Sequence, residues 1–509
     1  MTGKPRTILT TDMECDDMNS LIHLFLYLNE LDLEGIVYTS SQYHFNGDGV
    51  HTLGEVSPHY CCLGPGETEG PMVVREPDPR AKDLVMYRPF ELGWIEDLIR
   101  NEYTAVYPML RKHAEGFPDP QELLDKVYYG NYWFEGDVRF DTEGSRLIER
   151  CIMDEREDIL YLQSWGGVNT IVRALMSIYE RWSGTPEWPV ILDKVVKKVA
   201  ILGVMGGHGQ DNSFLDQDIP GKFPGIRCIR PDFGYASFMT AKGCQDDTLP
   251  LMQAEYMYPH FKINHGPLME KYALYGDGTV YRGECDRFQY GLLPVLDWGF
   301  NGMPAIRFDK YDILGEGDSG TYIPLFTNFG LRGMEDWRYG TMLGTLRVDD
   351  MKPVDIGAMM AEHRKRKPPV NPFLRAYHED FAARADWCVK EPDEANHNPV
   401  VTVSEKDLAA APGACVNVLA KVSDCRPYEA KWWLYRDGSQ YSGSEEEALS
   451  ALGRDEASVS AADDQGFHGF SFRIPQDARP GDFFSLILEA RNVHENPMTG
   501  YGQVIVTVD

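Results

Sequence analysis

The spacing of hydrophobic residues changes character once along this chain, and that change sets the architecture. Up to about residue 345, short apolar runs alternate with stretches of helical spacing, the pattern of βα units feeding a mostly parallel sheet. Arg6-Thr7-Ile8-Leu9-Thr10-Thr11 reads as a buried strand, and Met18, Leu21, Ile22, Phe25 and Leu28 follow at helical spacing over 18–31. Residues 33–39, 158–163, 199–205 and 226–229 predict further strands, and 168–182 a helix. Beyond Asn398 the segments turn short and alternating: 400–403, 415–420, 431–435, 470–474, 483–488 and 503–508 predict strands. With one more that the pattern does not place, they match the spacing of an immunoglobulin-like sandwich.

The expected organisation is a Rossmann-like α/β domain over 1–350, a connector over 351–397 packed on it, and an all-β sandwich over 398–509. A long aromatic segment punctuated by Pro and Gly, about 45–140, reads as an insertion after the second strand, with helical stretches near 94–101 and 103–113. It would stand at the carboxyl edge of the sheet, where open α/β folds bind ligands.

Charge narrows the partners. The 79 Asp and Glu outweigh the 49 Lys and Arg for a net charge of −30, which argues against nucleic acid or an anionic membrane surface. It suits a neutral or cationic ligand, or bound divalent cations. No apolar run reaches the ~18 residues of a membrane helix. The start leads directly into a strand pattern without a signal-peptide core, so the expectation is a cytoplasmic chain, or a secreted or periplasmic one whose leader has been removed. Ten cysteines without a CxxC pair read as a reduced set, although Cys415 and Cys425 are close enough in sequence to bridge.

The most informative residues follow the first strand: Thr10-Thr11-Asp12-Met13-Glu14-Cys15-Asp16-Asp17-Met18. Four carboxylates within six residues repel one another unless a cation compensates, and hard oxygen ligands favour calcium or magnesium. Acids that complement a helix N-terminus account for Asp16 or Asp17, and leave Asp12 at the strand end without a reason.

This cluster resembles the opening motif of the inosine-uridine nucleoside hydrolase superfamily, Asp-x-Asp-Pro-Gly-x-Asp-Asp, with Thr10 at the first Asp, Asp12 at the second, Asp16-Asp17 at the paired acids, and Met13-Glu14 replacing Pro-Gly. The resemblance implies Asp12 as the base that activates water, Asp12 and Asp17 as calcium carboxylates, and Asp16 as a partner of the sugar hydroxyls. After the second strand it places Gln42 where the family has a sugar-binding Asn. Trp165-Gly166-Gly167-Val168-Asn169 resembles the family's Gly-Pro-Leu-Thr-Asn, so Val168 would offer a backbone carbonyl to calcium and Asn169 a contact to substrate, or an N-cap. Val204-Met205-Gly206-Gly207 is similar to the family's Met-Gly-Gly, and the His208, Asp211 and Asn212 that follow would line the sugar pocket. Gly315-Glu316-Gly317-Asp318-Ser319-Gly320 matches the family's His-Asp through Asp318, the remaining calcium carboxylate, with Gly317 at the histidine position. That departure weakens the case for nucleobase protonation. Glu316, beside this landmark, is the candidate general acid for a sugar-oxygen leaving group, weighed against a solvated loop acid.

A narrower bacterial group, cellulose-binding proteins with a nucleoside-hydrolase-like body and an immunoglobulin-like carboxyl domain, is resembled along nearly the whole chain. The residues that carry it include Thr142-Glu143-Gly144-Ser145-Arg146-Leu147, Asp380-Phe381-Ala382-Ala383-Arg384 and Tyr501-Gly502-Gln503-Val504-Ile505-Val506-Thr507-Val508. Trp432, Trp433 and Tyr435 read as sandwich core rather than as a sugar platform. Trp94, Tyr128, Tyr129, Tyr132, Trp133 and Phe134 in the insertion are the better stacking candidates, with burial under its own helices as the default. The reading is a calcium-dependent hydrolase of an N- or O-glycosidic bond in a sugar-containing small molecule or glycan. Its alternative is a non-catalytic calcium-dependent carbohydrate binder. True nucleosidase activity ranks third, and homo-oligomerisation is left open.

Overall fold

The computed structural model describes residues 3–57, 81–203, 219–231, 248–279, 296–298, 306–349, 371–445 and 449–509. The chain divides into two compact bodies, one over Gly3–Tyr322 and the other formed by Ile323–Arg347 with Asn371–Asp509.

In the first body, β1 (Arg6–Thr11) leads into α1 (Cys15–Phe25) and β2 (Asp32–Tyr38). After the insertion, which contains α2 (Thr104–His113) and β3 (Val127–Tyr129), come α3 (Glu143–Met153), β4 (Leu160–Trp165), α4 (Asn169–Trp182), α5 (Trp188–Lys198), β5 (Val199–Gly203) and β6 (Arg227–Pro231). These six strands run parallel in the order β3-β2-β1-β4-β5-β6. Strands β1, β4 and β5 are buried along their full length, and each holds a short apolar run: Ile8-Leu9, Leu160-Tyr161-Leu162 and Val199-Ala200-Ile201-Leu202. Ile8, Leu160, Leu162 and Ile201 pack with Ile171, Val172, Leu175 and Ile178 of α4 in one core cluster.

The insertion is part of the sheet, because β3 pairs with β2 through Ile36–Val127 to Tyr38–Tyr129. α1 starts earlier and ends earlier than the spacing predicts, at Cys15 and Phe25, with a 3-10 turn at Leu28–Glu30. Among the described residues, no helix is long and apolar enough to cross a membrane.

Among its described residues beyond Asn371, the second body contains α6 (Leu374–Asp386) and seven strands: β7 (Val400–Val403), β8 (Asp407–Ala410), β9 (Cys415–Ser423), β10 (Tyr428–Gln440), β11 (Phe467–Arg473), β12 (Phe483–Asn492) and β13 (Thr499–Val508). They form a three-stranded sheet, β7-β9-β11, and a four-stranded sheet, β8-β13-β12-β10, an immunoglobulin-like sandwich. The strand that the sequence pattern does not place is β8, which runs parallel to β13. Strand alternation separates the two tryptophans: Trp432 enters the core and stacks on Phe470, whereas Trp433 and Tyr435 pack on Phe373 at 5.8 and 5.1 Å. All three are buried.

The stretch read as a connector supplies α6, whose side chains bond to the sandwich. Glu379 pairs with Arg491 at 2.9 Å, Asp380 accepts from Asn398 at 2.6 Å, and Asp386 accepts from Asn496 at 2.9 Å. Residues 323–347 share that body: Tyr501 N–H donates to Phe329 O at 2.8 Å, and Arg332 pairs with Asp407 at 2.8 Å. Cys415 and Cys425 are both free and exposed.

Candidate functional site

The strand order reverses between β1 and β4, and open α/β sheets bind ligands in the crevice at that switch point. Asp12 leaves the end of β1 there, its N–H donating to Trp165 O at the end of β4 at 3.1 Å. The next residue, Met13, adopts φ +61°, a left-handed conformation that costs a non-glycine residue about 1 kcal/mol or more. The turn is held by Thr11, whose Oγ1 accepts the Met13 N–H at 3.1 Å and donates to Asp17 Oδ1 at 2.6 Å.

α1 then carries Asp16 and Asp17 in its first turn. Asn19 fixes the helix by donating to Ala273 O at 3.1 Å and accepting the Ala273 N–H at 2.9 Å. A 3-10 turn over Gly317–Thr321 brings Asp318 to the same place. Thr321 anchors that turn to β4, with its hydroxyl 2.8 Å from Gln163 Oε1 and accepting from Trp165 Nε1 at 2.6 Å.

One carboxylate oxygen from each of Asp16, Asp17 and Asp318 lies within 4.8 Å of the others, an arrangement able to hold a metal ion. Asp17 and Asp318 are held well above the ordinary carboxylate range, first by burial and then by the neighbouring charges, which include Asp16 and Asp12. Asp12 is fully buried, and neither of its oxygens has a hydrogen-bond partner of proper geometry among the described residues. Burial raises it to about 6, with Glu14 adding to the shift while His44 and Ser41 oppose it. An all-oxygen donor set with an orphaned buried carboxylate beside it fits a hard divalent cation.

Two glycines clear the space these acids occupy. A Cβ at Gly166, φ +113°, would lie 2.5–2.9 Å from the Asp12 carboxylate atoms, and one at Gly317 would fall on Asp16 Oδ2.

The remaining candidates are placed differently. The Val168 carbonyl accepts the Val172 N–H at 2.9 Å and keeps its second lone pair. Asn169 is the first residue of α4 rather than its N-cap, and its side chain is engaged by Thr39 at 2.9 Å, Ser40 at 3.0 Å and Asn131 O at 2.6 Å, tying the insertion to the β2 loop. Gln42 is buried in that loop. His208, Asp211 and Asn212 lie outside the described residues.

Glu316 does not face the site as a loop acid. It is fully buried, with Oε2 2.5 Å from His23 Nδ1 and 2.6 Å from the Ser319 hydroxyl, and Oε1 accepting from Tyr272. These three partners tie Glu316 to α1 and to the Asp318 turn. In the insertion, Phe134 is core, packed with Phe45 and Leu53, while Tyr129, Tyr132 and Trp133 are half-buried.

The sequence alone gives no role to Arg88 or His44, and takes Glu14 only as one of four clustered acids. Backbone pairing of Phe45 with Tyr87 carries Arg88 to the site, where its Nη1 meets Glu14 Oε1 at 3.2 Å. His44 Nδ1 lies 2.8 Å from Arg88 O, and since a carbonyl only accepts, Nδ1 carries the proton; Nε2 is 3.8 Å from Glu14 Oε1. Burial works against the Glu14 charge, but Arg88 and His44 override it and hold the carboxyl near 2. His44 lies just past the Gln42 turn and was within reach of a positional argument. Arg88, mid-insertion, has no spacing signal.

Comparison with known proteins places the chain. Residues 6–345 match the family described as "Cellulose-binding Sde182, nucleoside hydrolase-like domain". The chain belongs to this family. Among solved structures it is similar to a nucleoside hydrolase-related hypothetical protein from Saccharophagus degradans associated with carbohydrate metabolism, at 21% identity and TM-score 0.61, covering 100% of both chains. A structure of the bacterial superantigen toxic shock syndrome toxin-1 aligns at 12% identity and TM-score 0.14 over 22% of this chain and 99% of its own, too little geometry to bear on the fold. No curated protein sequence matches.

Proposed function

We propose that this nucleoside hydrolase-like protein is a calcium-dependent hydrolase of a glycosidic bond in a sugar-containing ligand. The observation that carries the reading is Asp12: a fully buried carboxylate without a hydrogen-bond partner among the described residues, at the sheet's switch point, beside three converging carboxylates. Asp12, Asp17 and Asp318 would hold the ion, with Asp16 and the Val168 carbonyl as further oxygen donors. When bound, calcium supplies the charge that offsets these acids and a Lewis-acidic anchor for sugar hydroxyls.

The chain's own residues supply the rest. Asp12 takes a proton from water as the water oxygen bonds to the anomeric carbon, and the bond to the leaving group breaks with its electron pair going to the leaving group, which takes a proton from solvent. The surrounding carboxylates favour positive charge developing on the sugar ring. Thr11 and Gly166 fix the acids in place, one through the Asp17 hydrogen bond and the other by leaving room for Asp12. The family description, cellulose-binding, supports a glycan or other sugar conjugate over a free nucleoside. A second reading, calcium-dependent glycan binding without turnover, is favoured by the same description and by Gly317, which offers no side chain to protonate a leaving group.

The test is product release from nucleosides, aryl glycosides and plant oligosaccharides, with calcium or chelator, for wild type and Asp12→Asn. Chelator-sensitive turnover lost in Asp12→Asn is the expected result. Saturable glycan binding without turnover on any member would transfer the assignment to the binding protein.

A further inference from the structure

Gly166 and Gly317 both lie against a carboxylate of the site, but for different reasons. Gly166 has φ +113°, so its backbone alone favours glycine. The backbone of Gly317 is not in the left-handed region, and any L-residue could adopt it. What a side chain there would meet is Asp16: a Cβ would fall on Oδ2, with Cγ 3.6 Å away, and among the described residues outside its chain neighbours and its own turn no other atom lies within 4 Å. Asp16 is one of the three acids whose oxygens converge, and Asp318, the residue after Gly317, is another.

We propose that Gly317 is a positioning residue: its missing side chain is the space through which Asp16 reaches the cation site, so that any side chain at 317 turns the Asp16 carboxylate out of it. The displaced group is the short end of a half-buried side chain, so relief comes by rotating Asp16 rather than by moving backbone. A side chain at 317 therefore costs the ion a ligand without costing the protein its fold. Position 317 is reserved for the carboxylate, which is a constraint on what else that wall of the pocket can carry.

This rests on the calcium reading for its affinity readout. Calcium binding to the full chain is measured by titration calorimetry for wild type, Asp16→Ala, Gly317→Ala and the double variant. Gly317→Ala is expected to weaken calcium by about tenfold or more, comparable to Asp16→Ala, and the double variant to bind no worse than either single one. Wild-type affinity in Gly317→Ala, or multiplying losses in the double variant, overturns the proposal.

If wild type binds no calcium, the calcium reading fails separately, and melting in chelator still decides the coupling. The Tm shift caused by Gly317→Ala should then differ according to whether it is introduced into wild type or into Asp16→Ala, because only wild type has a carboxylate to move. Equal shifts in both backgrounds overturn the proposal as well.

Discussion

Replacing Asp12 by Asn should change how stability depends on pH, by an amount the structure sets. Burial raises Asp12 from its ordinary 3.8 to about 6. A carboxyl whose folded pKa exceeds its unfolded one binds its proton more tightly in the folded state. Its contribution is therefore favourable at low pH, falls as pH rises from about 4, and is fully lost above about 6. A shift of this size corresponds to about 3 kcal/mol. In calcium-free buffer, wild type should thus lose about 3 kcal/mol relative to Asp12→Asn between pH 4 and pH 7. The fixed cost of burying an amide in place of a carboxyl is the same at both ends and cancels. Unfolding by denaturant at closely spaced pH values, compared between the two proteins, measures the difference. Saturating calcium should flatten it, since the ion replaces the proton as the compensating charge. Parallel stability profiles for wild type and variant in calcium-free buffer would refute the argument, because they would mean that Asp12 is solvated or hydrogen-bonded after all.

Two other substitutions separate anchoring from chemistry. Glu316→Gln replaces one of the carboxylate oxygens that His23, Ser319 and Tyr272 surround by an amide nitrogen that cannot accept from them, and should destabilise the protein by about 2 kcal/mol in a denaturant melt. If Glu316 were instead the acid of the reaction, Glu316→Gln would lose turnover with stability unchanged. Arg88→Met leaves Glu14 partly buried without its guanidinium, so part of the roughly 3 kcal/mol that Arg88 and His44 together contribute at neutral pH should disappear. Because Glu14 is held near 2, that contribution is present above the ordinary 4.5 and lost as pH falls toward 2, so the wild-type and Arg88→Met stability curves should converge in acid.

Much of this architecture was legible because burial writes itself into the sequence. Strands β1, β4 and β5 are buried along their full length and each holds a short apolar run, Ile8-Leu9, Leu160-Tyr161-Leu162 and Val199-Ala200-Ile201-Leu202, and the sandwich strands appear through their alternation. β8 escaped because only its alternate residues are half-buried and the others exposed, so Asp407-Leu408-Ala409-Ala410 carries little apolar contrast. β3 was hidden for a similar reason: three residues at a sheet edge, all half-buried, inside a segment whose aromatics mask any period.

The acids of the site were visible because four of them share one turn, whereas their surroundings were not. Arg88 is 74 residues from Glu14 in sequence and reaches it only through the Phe45–Tyr87 pairing. Glu316 looked like a loop acid because nothing in its own stretch reveals that His23, 293 residues away, and Tyr272 close around it.

The insertion changes the electrostatics of the site in a particular way. Arg88 brings positive charge to the rim of the carboxylate cluster, and both it and His44 meet Glu14 there. Glu14 is therefore an acid already compensated by the protein. The charges that bear on Asp17 and Asp318 are instead those of other carboxylates, and with burial they hold both groups well above the ordinary range. Acids of one cluster thus answer differently to their environment: Glu14 is compensated by a side chain carried in from the insertion, whereas burial and like charges hold Asp17 and Asp318 well up. The distinction explains why adding one more acid at position 14 need not add a ligand. It also locates the demand for a cation where Asp16, Asp17 and Asp318 converge and the orphaned Asp12 carboxylate stands.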